Sequence, residues 1–224
     1  MNTLNIVYAT DEDIALRAPA DFAILCPRDQ KLAGGADGAF SPSDPWTLRS
    51  TSVDFSARGL SPGQVVLLTK PTATFRPPGE ALVIVSVAPG AVTLRRKGQP
   101  AGAGQPPGPA VGLSGVEFAI NTLGPQIERA SYDLNRRYGV DDLVAGRRAA
   151  DLHDRREVCE ATVLTVLSRQ YLAMSRETGD QGDPFAAKAQ LAKAELDELL
   201  DRVVVRWGAD AAPSSSRFST RITR

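Results

Sequence analysis

Near Thr122 the hydrophobic period of this chain changes, and few architectures accommodate both halves. Upstream, apolar residues come in short runs cut by Gly and Pro. Ser52–Phe55 alternates polar and apolar, Gln64–Leu68 and Glu80–Val87 are compact apolar runs, and Val92–Arg95 follows a Pro89-Gly90 turn. Short runs between turn clusters predict a small barrel or curled sheet, with Val116–Ile120 as its closing strand. Downstream, Leu123, Ile127, Ala130, Leu134 and Tyr138 recur at helical spacing, and Gly139 ends the run.

Two further helices are predicted after that. One runs from about Ala149 to Arg176, with Leu152, Cys159, Val163, Val166, Leu167 and Met174 on its apolar face. After Gly179–Asp183, Asp183-Pro184 restarts a helix with a cap and an N1 proline in order. Its inward residues should be Leu191, Ala194, Leu199 and Val203. Near the N-terminus, Thr10 followed by Asp11-Glu12-Asp13 predicts a short helix whose first turn complements the helix dipole. A second short helix is expected from Pro19 to Leu25. Gly34–Pro45 reads as a broken stretch, and Gly98–Gly112, with five Gly and four Pro, as a loop.

The expected class is α+β: a small α-helical bundle with an inserted small β-domain or barrel and an extended C-terminal arm. Residues 1–49 and 120–208 form the helical part, 50–119 the insertion with its Pro/Gly loop at 98–112, and 209–224 the arm. At 224 residues, roughly 70% of the unfolded surface is hidden on folding, so no staples are required.

Charge narrows the function classes. Lys plus Arg is 26 and Asp plus Glu is 26, so the balance is zero and a generic nucleic-acid binder is disfavoured. Two cysteines, Cys26 and Cys159, make no disulfide framework and read as buried thiols. One histidine, His153, excludes two-His metal motifs. No apolar run reaches 18 residues, and the N-terminus lacks the pattern of a secretory signal, so a cytosolic origin without membrane contact is expected.

No catalytic, cofactor-binding or metal-binding constellation emerges. Asp180 and Asp183 lie in a loop too short for a calcium hand, and Asp183 reads as an N-cap. His153, beside Asp151 and Asp154, has no nucleophile on a strained Gly-x-Ser-x-Gly turn. Gly34–Gly38 lacks the Gly-Lys-Ser/Thr of a phosphate loop. The charge clusters Arg147, Arg148, Arg155 and Arg156, with Glu195, Asp197 and Glu198 on the last helix, suit ion pairing between subunits better than DNA contact. The tail is basic and alternates: Arg217, Phe218, Arg221, Ile222 and Arg224 stand among Ser and Thr. That pattern suits an arm that adds to a sheet or docks on an acidic partner.

The order of helices carries a resemblance. Ile127–Tyr138, Cys159–Tyr171 and the helix opening Asp183–Lys188 follow the acid-capped opening at Thr10–Ile14. Over about residues 8–30 and 120–206 this resembles the head–tail connector, or adaptor, proteins of tailed bacteriophages. Asp133, Leu134, Arg137, Tyr138, Tyr171, Lys188 and Leu199 occupy the corresponding places. The β insertion departs from compact members, and a neighbouring subunit, the capsid and the neck exterior are its candidate contacts.

The resemblance implies a non-enzymatic virion protein of the neck, made in the host cytoplasm and needing no cofactor. It implies a ring, usually twelve-fold, that binds the portal and docks a stopper or tail-terminator protein. DNA would pass through its lumen without specific binding. Arg217, Phe218, Arg221, Ile222 and Arg224 would form the portal-binding arm. Two other readings are a stopper or tail-completion protein, which are usually β-barrels, and a small-barrel regulatory module.

Overall fold

The computed structural model describes residues 6–100, 108–141, 148–152, 155–178 and 183–202. By compactness the chain falls into two units: Ala9–Gln126, and Met1–Tyr8 with Ile127–Arg224.

The first unit is a closed antiparallel barrel. Its strands are β1 (Lys31–Ser41), β2 (Asp44–Arg49), β3 (Val65–Lys70), β4 (Glu80–Ala88), β5 (Ala91–Arg96) and β6 (Val116–Asn121). Around the barrel they run β1-β2-β5-β4-β3-β6. Two short helices, α1 (Asp11–Arg17) and α2 (Phe22–Leu25), precede them. Alternation sends Val92 and Leu94 of β5, and Val116, Phe118 and Ile120 of β6, into one core with Leu48, Leu68, Leu82 and Ile84. Each such side chain contributes about 1.5–3 kcal/mol by leaving water. Phe55 and Phe75 are 0% and 1% exposed, so loops as well as strands fill the interior.

A helical bundle with an inserted β-domain is therefore not what the chain builds. The barrel starts at Lys31 rather than near residue 50, and residues 31–49, expected on the helical side, supply two of its six strands. The cause lies in the glycines of β1. A Cβ on Gly38 would sit 2.8 Å from the Val116 carbonyl oxygen and 2.9 Å from Leu48 Cδ1. One on Gly35 would lie 3.1 Å from the Phe118 ring. These residues are small because β1 lies close against β6 and the Phe118 ring, not because the chain turns there. The expected strand at Ser52–Phe55 is irregular; Phe55 N–H donates to the Pro89 carbonyl, and its ring packs 5.7 Å from that of Phe118.

The second unit is helical: α3 (Gly124–Tyr138, in this unit from Ile127), α4 (Arg155–Thr178) and α5 (Pro184–Arg202). Leu134, Leu152, Val158 and Ala161 form its core cluster, flanked by Tyr8, Tyr138, Leu196, Leu199 and Leu200. In α4, every residue from Ala161 to Leu167 is buried, not one face alone. Thr162 and Thr165 tolerate this because their hydroxyls donate to the carbonyls of Val158 and Ala161, 2.8 and 2.7 Å away. The predicted inward face of α5 needs correction. Leu191 is 62% exposed and Ala194 is exposed; Ala189 and Ala192 are buried instead, and Leu199 is partly buried. Val203 lies outside the described residues.

Candidate functional site

In the helical unit, residues that carry the connector resemblance come together. Asp133 of α3 receives Arg169 Nη2 of α4 at 2.8 Å, and Arg129 Nε lies 3.5 Å from its other oxygen. Leu134, one position on, is buried in the core cluster. Tyr138 packs against that cluster, and burial pushes its phenol above the ordinary value. Tyr171 near the end of α4 stacks on Phe185 of α5 at 6.2 Å. Lys188 Nζ lies 5.6 Å from the Tyr171 ring centroid and 5.7 Å from that of Phe185, a cation–π arrangement over two rings. Asp183 starts α5 as expected: its Oδ1 accepts Phe185 N–H at 2.9 Å, and the residue is buried.

Two contacts in this unit have no signal in the sequence. Tyr8 N–H donates to Ser131 Oγ at 3.2 Å, and the Tyr8 hydroxyl donates to Asn135 Oδ1. Both partners are buried, and they tie the segment before Ala9 to α3.

Three of the expected intersubunit charges, Asp197, Glu198 and Arg155, have local side-chain contacts. Asp197 pairs with Lys193 at 2.9 Å, and Glu198 lies 3.8 Å from Arg202, both one turn apart on α5. Arg155 Nη2 donates to the Ala149 carbonyl at 3.1 Å, and Arg148 N–H donates to Asp151 at 3.2 Å. The side chains of Arg148 and Arg156 are on exposed residues, and Glu195 is half-buried. Arg147, His153, Asp154 and Asp180 lie outside the described residues, as do Arg217, Phe218, Arg221, Ile222 and Arg224. Among the described residues there is no cluster of His, Cys, Asp and Glu able to hold a metal ion. No helix among them is long and apolar enough to cross a membrane.

No protein family, curated protein or solved structure matches this chain. Its own geometry must carry the reading.

Beside the surface pairs Arg49–Asp44, Lys70–Glu117 and Arg96–Glu80, three acidic residues of the barrel unit are held by groups from other segments of the chain. Glu12 on α1 takes a bidentate grip from Arg95 of β5, at 2.6 and 2.5 Å, and also accepts Gly98 N–H at 3.0 Å. Asp37 sits in a bulge of β1, where the register to β6 shifts between Gly35 and Gly38. It accepts the N–H groups of Thr51 and Ser52, both at 2.9 Å, and the hydroxyls of Ser50, Thr51 and Ser52. Desolvation opposes its charge, yet these donors hold its carboxyl far below the usual carboxylate range. The third is Asp11, 3% exposed at the start of α1. Its Oδ1 accepts Leu123 N–H at 2.7 Å, just before α3, while Oδ2 is buried without a partner among the described residues. Burial pushes its pKa up to about 6, against the opposing pull of Leu123 N–H and the Thr122 hydroxyl. Burial, with the Asp11 charge added, drives the neighbouring Cys26 thiol up to about 12. Cys26 is thus a buried, inert thiol, and Cys159 is half-buried; neither is in a disulfide.

These arrangements brace elements of the barrel unit against one another. Outward, α5 presents an exposed flank with Leu191, and in the first half of β1 Lys31 and Ala36 are exposed.

Proposed function

We propose that this chain is a structural protein of a tailed-phage particle, a head–tail adaptor. It assembles as a ring beneath the portal, extends the DNA channel and presents a platform to stopper or tail-terminator proteins. The observation that carries the reading is the helical unit. Of the residues behind the connector resemblance, Asp133, Leu134, Tyr138, Tyr171, Lys188 and Leu199 serve the packing of α3, α4 and α5, while Arg137 is exposed. A zero charge balance suits a wall past which DNA must slide. A cyclic ring needs two different, complementary surfaces on each copy, and a chain of two unlike units suits that need.

A second reading has its own support. The closed six-stranded barrel favours a stopper or tail-completion protein, a class built mainly on β-barrels. One experiment separates the two. Purified protein, with and without residues 213–224, is mixed with assembled portal from the same genome and, separately, with portal already carrying an adaptor. Binding to bare portal supports the adaptor reading. Binding only to the adaptor-loaded portal supports the stopper. Binding to neither, in low salt, removes both. Loss of portal binding with the tail would give Arg217, Phe218, Arg221, Ile222 and Arg224 the anchoring role.

A further inference from the structure

The barrel closes through only part of β1. On one side β1 pairs with β6 from Lys31 to Gly38. On the other it meets β2 only at Ala39, Phe40 and Ser41. Beyond that point β2 ends, and the chain at Ser50–Ser52 binds the Asp37 carboxylate instead of continuing the ladder. Among the described residues no backbone group pairs with the β2-side edge of Leu32–Ala36. Leu32, Gly34 and Gly35 are half-buried, Ala33 turns its side chain into the barrel core and Ala36 is exposed. An edge of N–H and C=O groups with glycines at its centre lets a second backbone approach to strand spacing.

We propose that this edge accepts the C-terminal segment Arg217–Thr223 of a second copy as an added strand. The segment has the required alternation. In an extended strand, Phe218, Thr220 and Ile222 share one face, and Arg217, Ser219, Arg221 and Thr223 the other. Five residues, Phe218–Ile222, are enough to span the open edge, whose regular part is Ala33–Gly35 between two bulges. The 14 residues between Arg202 and Arg217 reach up to about 50 Å when extended, enough to cross to a neighbour. Strand addition places backbone hydrogen bonds on β1 and leaves the arginine face free for an acidic surface. The contact is heterologous, edge to tail, so it propagates around a ring. The inference rests on the assembly reading for the source of the strand.

The test uses protein lacking residues 213–224 and a synthetic peptide of those residues. Fluorescence anisotropy should show saturable binding. Hydrogen exchange should show new protection at the amides of Leu32–Ala36 and none on β4. Two backbone-methylated peptides then report the mode. Methylation at Ser219 and Arg221, and methylation at Phe218, Thr220 and Ile222, must act unequally, because alternate amides face the acceptor. One set should weaken binding by about tenfold or more, the loss of one to two hydrogen bonds, and the other by less than about twofold. No saturable binding, protection away from β1, or equal effects of the two methylated sets would overturn the proposal. If the truncated protein still captures portal while the peptide fails to bind, the assembly reading stands and this edge loses its assigned partner.

Discussion

Replacing Asp11 with asparagine should flatten the dependence of stability on pH between about 7 and 4.5. The Asp11 carboxyl is 3% exposed, with one oxygen on Leu123 N–H and the other buried without a partner among the described residues. Its pKa rises from 3.8 to about 6, chiefly through burial. Between those values the folded state binds the proton and the unfolded chain does not, so stability falls as pH rises through this window. The difference of about 2.2 pH units, at 1.36 kcal/mol each, makes the ionised carboxylate cost about 3 kcal/mol at pH 7 and above. The asparagine would keep an oxygen for Leu123 N–H and carry no charge. Its amide would stay buried beside Cys26, which returns about 1–3 kcal/mol of the gain. The net gain at pH 8 is therefore small, and the slope is the decisive quantity. Asp37, whose carboxyl is held far down by its donors, loses its contribution only at much lower pH, outside this window. The assay is urea unfolding of the full chain followed by Trp46 fluorescence, in a Trp207→Phe background because these are the two tryptophans. The wild-type chain should gain about 2 kcal/mol from pH 7.5 to pH 4.5, and Asp11→Asn less than about 1 kcal/mol. A wild-type profile that is flat or rises with pH, or a variant that keeps the wild-type slope, would refute the account.

Gly38→Ala should destabilise the barrel by about 1–3 kcal/mol in the same urea assay, since its Cβ would meet the Val116 carbonyl and Leu48. Arg95→Ala should cost about 2 kcal/mol by leaving the largely buried Glu12 carboxylate without its bidentate partner, and Glu12→Gln/Arg95→Ala together should cost less than the sum of the singles. With a maleimide at pH 8, Cys26 should stay unlabelled in the folded chain while half-buried Cys159 reacts first; urea should abolish the difference. Leu134→Ala should cost about 2–5 kcal/mol, whereas Leu191→Ala on the exposed flank of α5 should stay within about 0.5 kcal/mol.

Much of the chain was legible as local pattern. The strands at Val65–Lys70, Glu80–Ala88, Ala91–Arg96 and Val116–Asn121 follow from apolar runs between Gly and Pro turns, and α3 from its 3.6 period. The cap at Asp183 follows from one dipeptide, Asp-Pro, whose chemistry is local. Where a residue's meaning depends on what stands across from it, the pattern was silent. Gly34-Gly35 and Gly38 look like a loop until β6 and Phe118 lie against them, and only then are they strand residues. On α5 the larger Leu191 outweighs Ala189 and Ala192 in any hydropathy sum, yet close approach to α4 selects the alanines and turns Leu191 outward. Asp11 reads as an ordinary acid in a helix's first turn; the tertiary fold alone buries it under Leu123 and raises its pKa. Period, caps and turns are set by bonds between near neighbours, and the sequence by itself determined those. Barrel closure, the β2-side edge of β1 and the buried carboxylate arise from contacts distant in sequence, and only the tertiary structure decided them.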